Sequence, residues 1–259
     1  MNHRETSHPN IVWTDRMKTL TDAIRFIDLV GFCVLFPVKN VPLPSLHYAV
    51  ARRPPTGWDK YAQLIWKWKD ELPKKRRAFY AKYFKGRGTF LSLKLLPHFL
   101  AIHGTAVDPS DAEAFYKAGR ISHDALEVWQ ALGKLGALAT LELRHACKME
   151  TQAGNKRFKK AMLELQGLLI VTHSGAEQET EAWASNRFEL VSRAFPKQIA
   201  EAQEISPEDA RTVLATKYCN LFPMQHPLNS PASSAGPKHR LSPRSRYSIL
   251  PLQRSQDSP

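Results

Sequence analysis

Three amphipathic stretches followed by two short extended ones, all between Ser122 and Val191, constrain the fold of this chain more than any other feature. Ser122 to Lys134 carries Leu126, Trp129 and Leu132 at helical spacing and stops before Gly136. Leu138 to Met149 carries Leu141, Leu143 and Ala146, and Gln152 to Gln166 carries Phe158, Met162 and Leu165. Gly167 terminates the third stretch. Leu168 to Thr172 reads as a strand, Ser174 to Glu181 as a polar tip, and Trp183 to Val191 as the returning strand. Three helices followed by a hairpin is the order of a winged helix-turn-helix. The predicted fold class is mainly α with short β-hairpins, organised as winged helix-turn-helix units.

The preceding half is also largely helical. Asp15 to Val30 predicts a helix ended by Gly31, Phe32 to Val38 an extended core segment, and Leu46 to Arg53 a short helix stopped by Pro54 and Pro55. Thr56 with Asp59 reads as a capping box for a helix to Leu72. Its stripe of Trp58, Tyr61, Ile65, Trp68 and Leu72 turns Trp68 toward the core and leaves Gln63, Trp66, Lys67 and Asp70 on another face. Pro73 ends this helix or starts another that runs to Phe84; Gly86-Arg87-Gly88 is a basic turn, and Phe90 to Ile102 is a further helix. Ser110 with Glu113 opens a short helix, and Ser206, Pro207 and Asp209 open one reaching Cys219. From Asn220 onward, Pro, Ser and Arg without periodicity predict a disordered basic tail. The expected organisation is a Trp-rich basic N-terminal domain (1–118), a winged-helix domain (119–200), a C-terminal helix (201–219) and the tail (220–259).

Charge narrows the partner. The formal net charge is +13, and between Arg52 and Arg87 twelve Lys and Arg face only Asp59, Asp70 and Glu71, with Trp58, Trp66 and Trp68 interleaved. Cations bind phosphates with release of counterions, and aromatic faces stack on unpaired bases. DNA, double-stranded, is the expected partner; an anionic membrane surface is the second candidate, and a basic balance that only aids solubility is the third reading. No apolar run approaches the roughly 20 residues that span a bilayer, and the start, Met1 to Asn10, is polar. Cys33, Cys147 and Cys219 are far apart and form no CxxC pair. A soluble protein of a reducing cytoplasm is expected, at the nucleoid if DNA is the partner. His98, His103, His123, His145 and His173 show no ligand spacing, and no P-loop, GxGxxG, GxSxG or HExxH occurs. Neither metal nor cofactor is expected.

Two segments carry candidate chemistry. The third helix of the winged unit opens with Gln152 and Asn155, then Lys156 and Lys160, opposite Phe158 and Met162. That combines an apolar docking face with amides and cations for base edges and phosphates; the alternative is a solvated basic face. Glu177, Glu179 and Glu181 at the hairpin tip would repel phosphates, so the wing points away from DNA or the unit serves protein interaction. The second segment is Ile65 to Pro73. Asp70 lies one turn from Trp66, so a carboxylate beside an aromatic platform could orient water or stabilise a cationic sugar while the ring stacks an extruded base. The alternative is a helix end with Asp70 or Glu71 paired to Lys67, Lys74 or Lys75. Lys69 is a conceivable Schiff-base nucleophile. Lys67, Lys69, Lys74, Lys75, Arg76, Arg77 and Arg87 are candidate phosphate contacts.

Trp66-Lys67-Trp68-Lys69-Asp70-Glu71-Leu72-Pro73, with Phe79-Tyr80, Thr89 to Leu93 and Leu96-Pro97, resembles the AlkZ-related proteins of bacteria, relatives of AlkZ-type winged-helix DNA glycosylases. Leu165-Gln166, Leu169 to Val171, Trp183-Ala184 and Arg187 to Leu190 extend the resemblance over about Asp15 to Pro196. It implies tandem winged-helix units forming a concave basic surface for duplex DNA. It also implies a relation to enzymes that hydrolyse the bond to an alkylated base with a Gln-x-Gln or Gln-x-Asp pair. This chain has neither pair, since Gln63 is followed by Leu64 and Ile65, so no catalytic residue carries over. The expected function is a DNA-binding protein related to alkylation- and crosslink-repair glycosylases, with excision of damaged bases through Asp70 as its candidate chemistry. The alternative is a non-catalytic winged-helix transcriptional regulator, and a third is a scaffold holding a protein partner.

Overall fold

The first helix forms where a reciprocal cap and an apolar stripe coincide. In the computed structural model, which describes residues 17–39, 41–104, 111–178 and 184–222, α1 (Leu20–Val30) starts at a Thr19–Asp22 capping box and stops at Gly31, which adopts φ 84°. Next come β1 (Phe32–Val34), α2 (Leu46–Ala51) and α3 (Lys60–Lys74). The cap of α3 is Asp59 itself, accepting from the N–H groups of Tyr61 and Ala62, whereas Thr56 accepts from Arg53. The helix therefore starts later than the Thr56 box predicts. Ile65, Trp68 and Leu72 are buried as their spacing requires, while Trp58, before the helix, is exposed.

Beyond Pro73 the chain departs from the sequence expectation. Phe79 to Lys82 is a strand, β2, and Gly88 to Leu91 is another, β3, joined through a 3-10 turn at Phe84–Gly86; only Leu96–His103, α4, is helical in the Phe90 to Ile102 stretch. The strands pair antiparallel in the order β1-β3-β2, with Phe90 opposite both Cys33 and Tyr80. Phe79, Tyr80 and Ala81 are all buried, so no in-out alternation marked them as a strand.

α5 (Ala112–Lys117) follows; Ser110, its expected cap, lies outside the described residues. The three helices of the second half are α6 (His123–Leu135), α7 (Thr140–Ala146) and α8 (Gln152–Gly167). The two-residue strand β4 (Leu138–Ala139) precedes α7, and the hairpin is β5 (Val171–Gln178) with β6 (Ala184–Leu190). This second sheet is antiparallel in the order β4-β6-β5, with Phe188 opposite both Leu138 and His173. The chain closes through α9 (Val191–Ala194), α10 (Pro196–Gln203) and α11 (Pro207–Leu221), the first two of which the sequence did not announce. The structure is thus mainly helical with two small antiparallel three-stranded sheets among the described residues. The tail from residue 223 lies outside them.

Two apolar clusters hold these elements. One gathers α1 to α4, the first sheet and the C-terminal helices around Ile65, Trp68, Phe79, Phe90 and Leu100. The other gathers α5 to α8 and the hairpin around Trp129, Leu143, Phe158 and Leu165. Phe115 meets Trp129 edge-on at 5.3 Å. Removing that fully packed indole leaves a large void, so Trp129→Ala should cost roughly 3–5 kcal/mol, read as a fall in the urea midpoint with an unchanged slope. The clusters meet where α3 and β2 pack on β5, and Thr172 Oγ1 donates to the Tyr80 carbonyl at 3.1 Å.

Candidate functional site

That junction places the Trp66 segment against the hairpin. On α3, Trp66, Lys69 and Asp70 stand three and four residues apart and so neighbour one another. Trp66 remains 44% exposed and meets the still more exposed Trp58 edge-on at 5.4 Å. Lys69 turns inward: its side chain is 5% exposed, and its ammonium lies 4.7 Å from the Trp66 ring centroid. A desolvated cation on an indole face is a favourable contact, but a buried charge also needs a counter-charge and hydrogen bonds. Asp70 Oδ1 supplies the first at 2.6 Å, and Asn186 Oδ1 accepts a bond from Lys69 Nζ at 3.1 Å.

His173 completes the cluster from β5. Its ring sits edge-on to Tyr80 and to Phe188 and is 3% exposed. The Gly175 N–H donates to Nδ1 at 3.3 Å, so the ring proton resides on Nε2, 2.9 Å from Asn186 Oδ1 and 3.4 Å from Asp70 Oδ1. Burial, then the nearby Lys69 charge, push the His173 pKa down to about 3, against the smaller opposing effect of the Asn186 bond. The imidazole is neutral at physiological pH. Asp70 Oδ1 is itself buried, lying close to Lys69 without the alignment of a hydrogen bond. The Asp70 side chain as a whole is 27% exposed. Asp70 Oδ1 thus sits between the Lys69 ammonium and the His173 ring, and the carboxylate is still in part exposed beside Trp66 on the same helix.

The other predicted residues of this segment divide. Lys67 and Lys75 clamp Glu71, each at 3.5 Å, as the helix-end alternative foresaw for Glu71. Arg76 reaches across to Glu189 on β6, at 3.5 Å. Lys74 and Arg77 are exposed with no ion pair among the described residues, and so is Arg87 in its turn. On α8, Gln152, Lys156, Lys159, Lys160 and Leu163 fall within about a third of the helix circumference and are exposed, opposite buried Phe158, Ala161, Met162 and Leu165. Asn155 is half-buried at the edge of that face. Lys156 and Lys160 carry no ion pair among the described residues, whereas Arg157 is spent in a fork on Asp124. The face runs on to the basic turn, since a Cβ at Gly86 would meet Leu163 at 3.6 Å. His123, Asp124 and Glu127 could converge on a cation, but that trio lies at the surface and Asp124 already holds Arg157.

His173 and Asn186 are the residues that sequence reasoning missed. A histidine inside the apolar run from Leu168 to Thr172 and onward was the available signal; its partner could be found only from the packing of the hairpin on α3.

These features define a mainly helical protein whose two halves share a buried lysine–carboxylate–histidine junction beneath an exposed tryptophan pair. No helix among the described residues is long and apolar enough to cross a membrane. Residues 17–229 match the model of the AlkZ-related family, and the chain belongs to that family, which relates it to DNA-repair glycosylases. No curated protein and no solved structure matches the chain.

Proposed function

We propose that this protein binds duplex DNA and removes damaged bases, with Asp70 as the catalytic carboxylate. The observation that carries the reading is Asp70 itself. A carboxylate paired with a buried lysine, 27% exposed and one helical turn from an exposed indole, suits the stabilisation of a cationic sugar while Trp66 stacks the extruded base. The order β4-β6-β5, with a short strand between the first and second of three helices, supports reading α6 to β6 as a winged helix-turn-helix. Its third helix, α8, then presents Gln152, Asn155, Lys156 and Lys160 to the duplex. Lys67, Lys69, Lys74, Lys75, Arg76, Arg77 and Arg87 complete the candidate set, of which Lys69 acts from within through Asp70 and the indole. The organisation into an N-terminal domain, a winged helix and a closing helix is part of the same proposal, as is a place at the nucleoid.

Binding is tested through its salt dependence. Each neutralised phosphate contributes about −0.9 to the slope of log K against log salt on duplex DNA. Lys156→Ala with Lys160→Ala should make that slope shallower by about 2 and weaken binding about equally across sequences. An unchanged slope removes α8 from the interface. Excision is tested on alkylated duplex by the appearance of abasic product.

The second reading, a non-catalytic DNA-binding regulator, is favoured by the absence of a Gln-x-Gln or Gln-x-Asp pair anywhere in the chain. It predicts sequence-dependent binding without abasic product.

A further inference from the structure

The geometry points to a phosphate-binding cleft between the C-terminal end of α3 and the β5–β6 hairpin, bordered by His173. The cleft has a volume of about 140 Å³ and is lined by Lys74, Arg76, Ser174, Arg187 and Glu189, among others. A water needs roughly 10–15 Å³ by the same measure, so the space admits a group of several heavy atoms.

Three local departures from regular structure build it. The β5–β6 register shifts between His173 and Gly175, which makes Ser174 the extra residue of a bulge. Bulges re-aim side chains and recur beside functional sites; here the bulge turns Ser174 into the cleft, where its hydroxyl is buried and bonds to no protein atom among the described residues. Gly175 follows at φ 119°, and a Cβ there would lie 3.0 Å from Lys74 Cβ, so the missing side chain lets the Lys74 stem lie against the hairpin. Arg76 holds a left-handed φ of 51°, uncommon for a non-glycine residue, and this carries its guanidinium over β6. An observed backbone outlier, a bulge and a bare glycine thus converge on one space.

The charges select the ligand. Three cations, Lys74, Arg76 and Arg187, face one carboxylate, Glu189, and the adjacent imidazole is neutral. Glu189 engages Arg76 at 3.5 Å and Arg187 donates to the Ala137 carbonyl at 2.8 Å, so both guanidiniums are oriented before a ligand arrives. A guanidinium fork retains further donors, and Lys74 and the Ser174 hydroxyl add theirs. A guanidinium, an exposed ammonium and a buried hydroxyl converging on one space suit the several acceptor oxygens of a phosphate. The group could belong to the DNA backbone or to a free phosphorylated molecule. The cleft stands on its own geometry and does not depend on base excision.

The test uses the full chain and inorganic phosphate at constant ionic strength, with ³¹P line broadening as readout. Saturable millimolar binding is expected, weakened at least tenfold in Lys74→Met and about threefold in Ser174→Ala, and unchanged in Lys117→Met on α5, no residue of which lines the cleft. Absence of saturation, or equal affinity in Lys74→Met and the parent, overturns the proposal. Competition between phosphate and a DNA duplex assigns the site to the backbone; saturable phosphate binding that leaves DNA affinity untouched assigns it to a free phosphate. Loss of excision activity in other variants leaves both readouts unaffected.

Discussion

Asp70→Asn should abolish abasic-site formation on alkylated duplex, by a factor of roughly 10²–10⁴, while leaving affinity for the same duplex unchanged or slightly higher. The reaction forms a bond from a water oxygen to C1′ of the sugar, with one water proton released to solvent, and cleaves the bond from C1′ to the base; a base alkylated on a ring nitrogen is cationic and departs neutral with the electron pair. Positive charge develops on the sugar as the base departs, and a fixed anion at that point lowers the barrier because it need not reorganise. Asp70 is restrained by charge: its Oδ1 lies 2.6 Å from the Lys69 ammonium, with the His173 ring 3.4 Å away. Asparagine keeps the size and an acceptor oxygen but removes the charge, so a loss of rate with retained binding separates chemistry from docking. The variant also leaves Lys69 with Asn186 and the indole but no counter-charge, which lowers stability; a thermal melt is therefore run alongside. Equal abasic product from the parent and Asp70→Asn at matched folded fractions would falsify the catalytic assignment and leave the regulator reading.

The chemistry of this site was only half legible in the sequence, for a physical reason. Helical spacing on α3 put Trp66 and Asp70 on one face and buried Ile65, Trp68 and Leu72, because a periodicity of 3.6 is a local property. The same holds for α8, expected over Gln152 to Gln166 and observed over Gln152 to Gly167. The strands β2 and β3 were read as helix because Phe79-Tyr80-Ala81 and Thr89-Phe90-Leu91 are buried on both faces, and a short apolar run has no period to distinguish the two states. His173 and Asn186 lie over 100 positions from Lys69, and nothing local tells that a histidine will meet a lysine where the hairpin packs on α3. The inward turn of Lys69 was hidden for the same reason: a lysine is nearly always at the surface unless paired, and its partners are tertiary.

Acid should unfold this protein early, through its buried imidazoles. His173 titrates at about 3 and His103 at about 4 in the folded chain, each lowered first by burial and then by a neighbouring cation, Lys69 and Arg120 respectively. In the unfolded chain both rings take their proton near pH 6.5. Below pH 6.5 the unfolded state therefore holds protons that the folded state does not. By linkage, stability is at its full value above the unfolded pKa and falls as pH falls toward each folded pKa, by about 1.4 kcal/mol per pH unit for each ring. Between pH 6.5 and 5 the two together remove roughly 3 kcal/mol, a large share of the ~5–15 kcal/mol that holds a domain folded. His47 and His98, whose pKa values burial also lowers, act in the same direction. Carboxylates held below their ordinary range, Asp22 and Asp124 among them, begin to count only near pH 4, so the pH 5–6.5 window isolates the histidines. For a domain of this size the expected fall in Tm across that window is roughly 6–12 °C. Replacing one ring, as in His103→Gln, should remove about 1.4 kcal/mol per pH unit from the slope whatever the variant costs in stability at pH 7. A slope that stays at the parent value would mean that the ring is hydrated and titrates normally in the fold, and the neutral His173 behind Asp70 would need the same measurement before its role beside the carboxylate could stand.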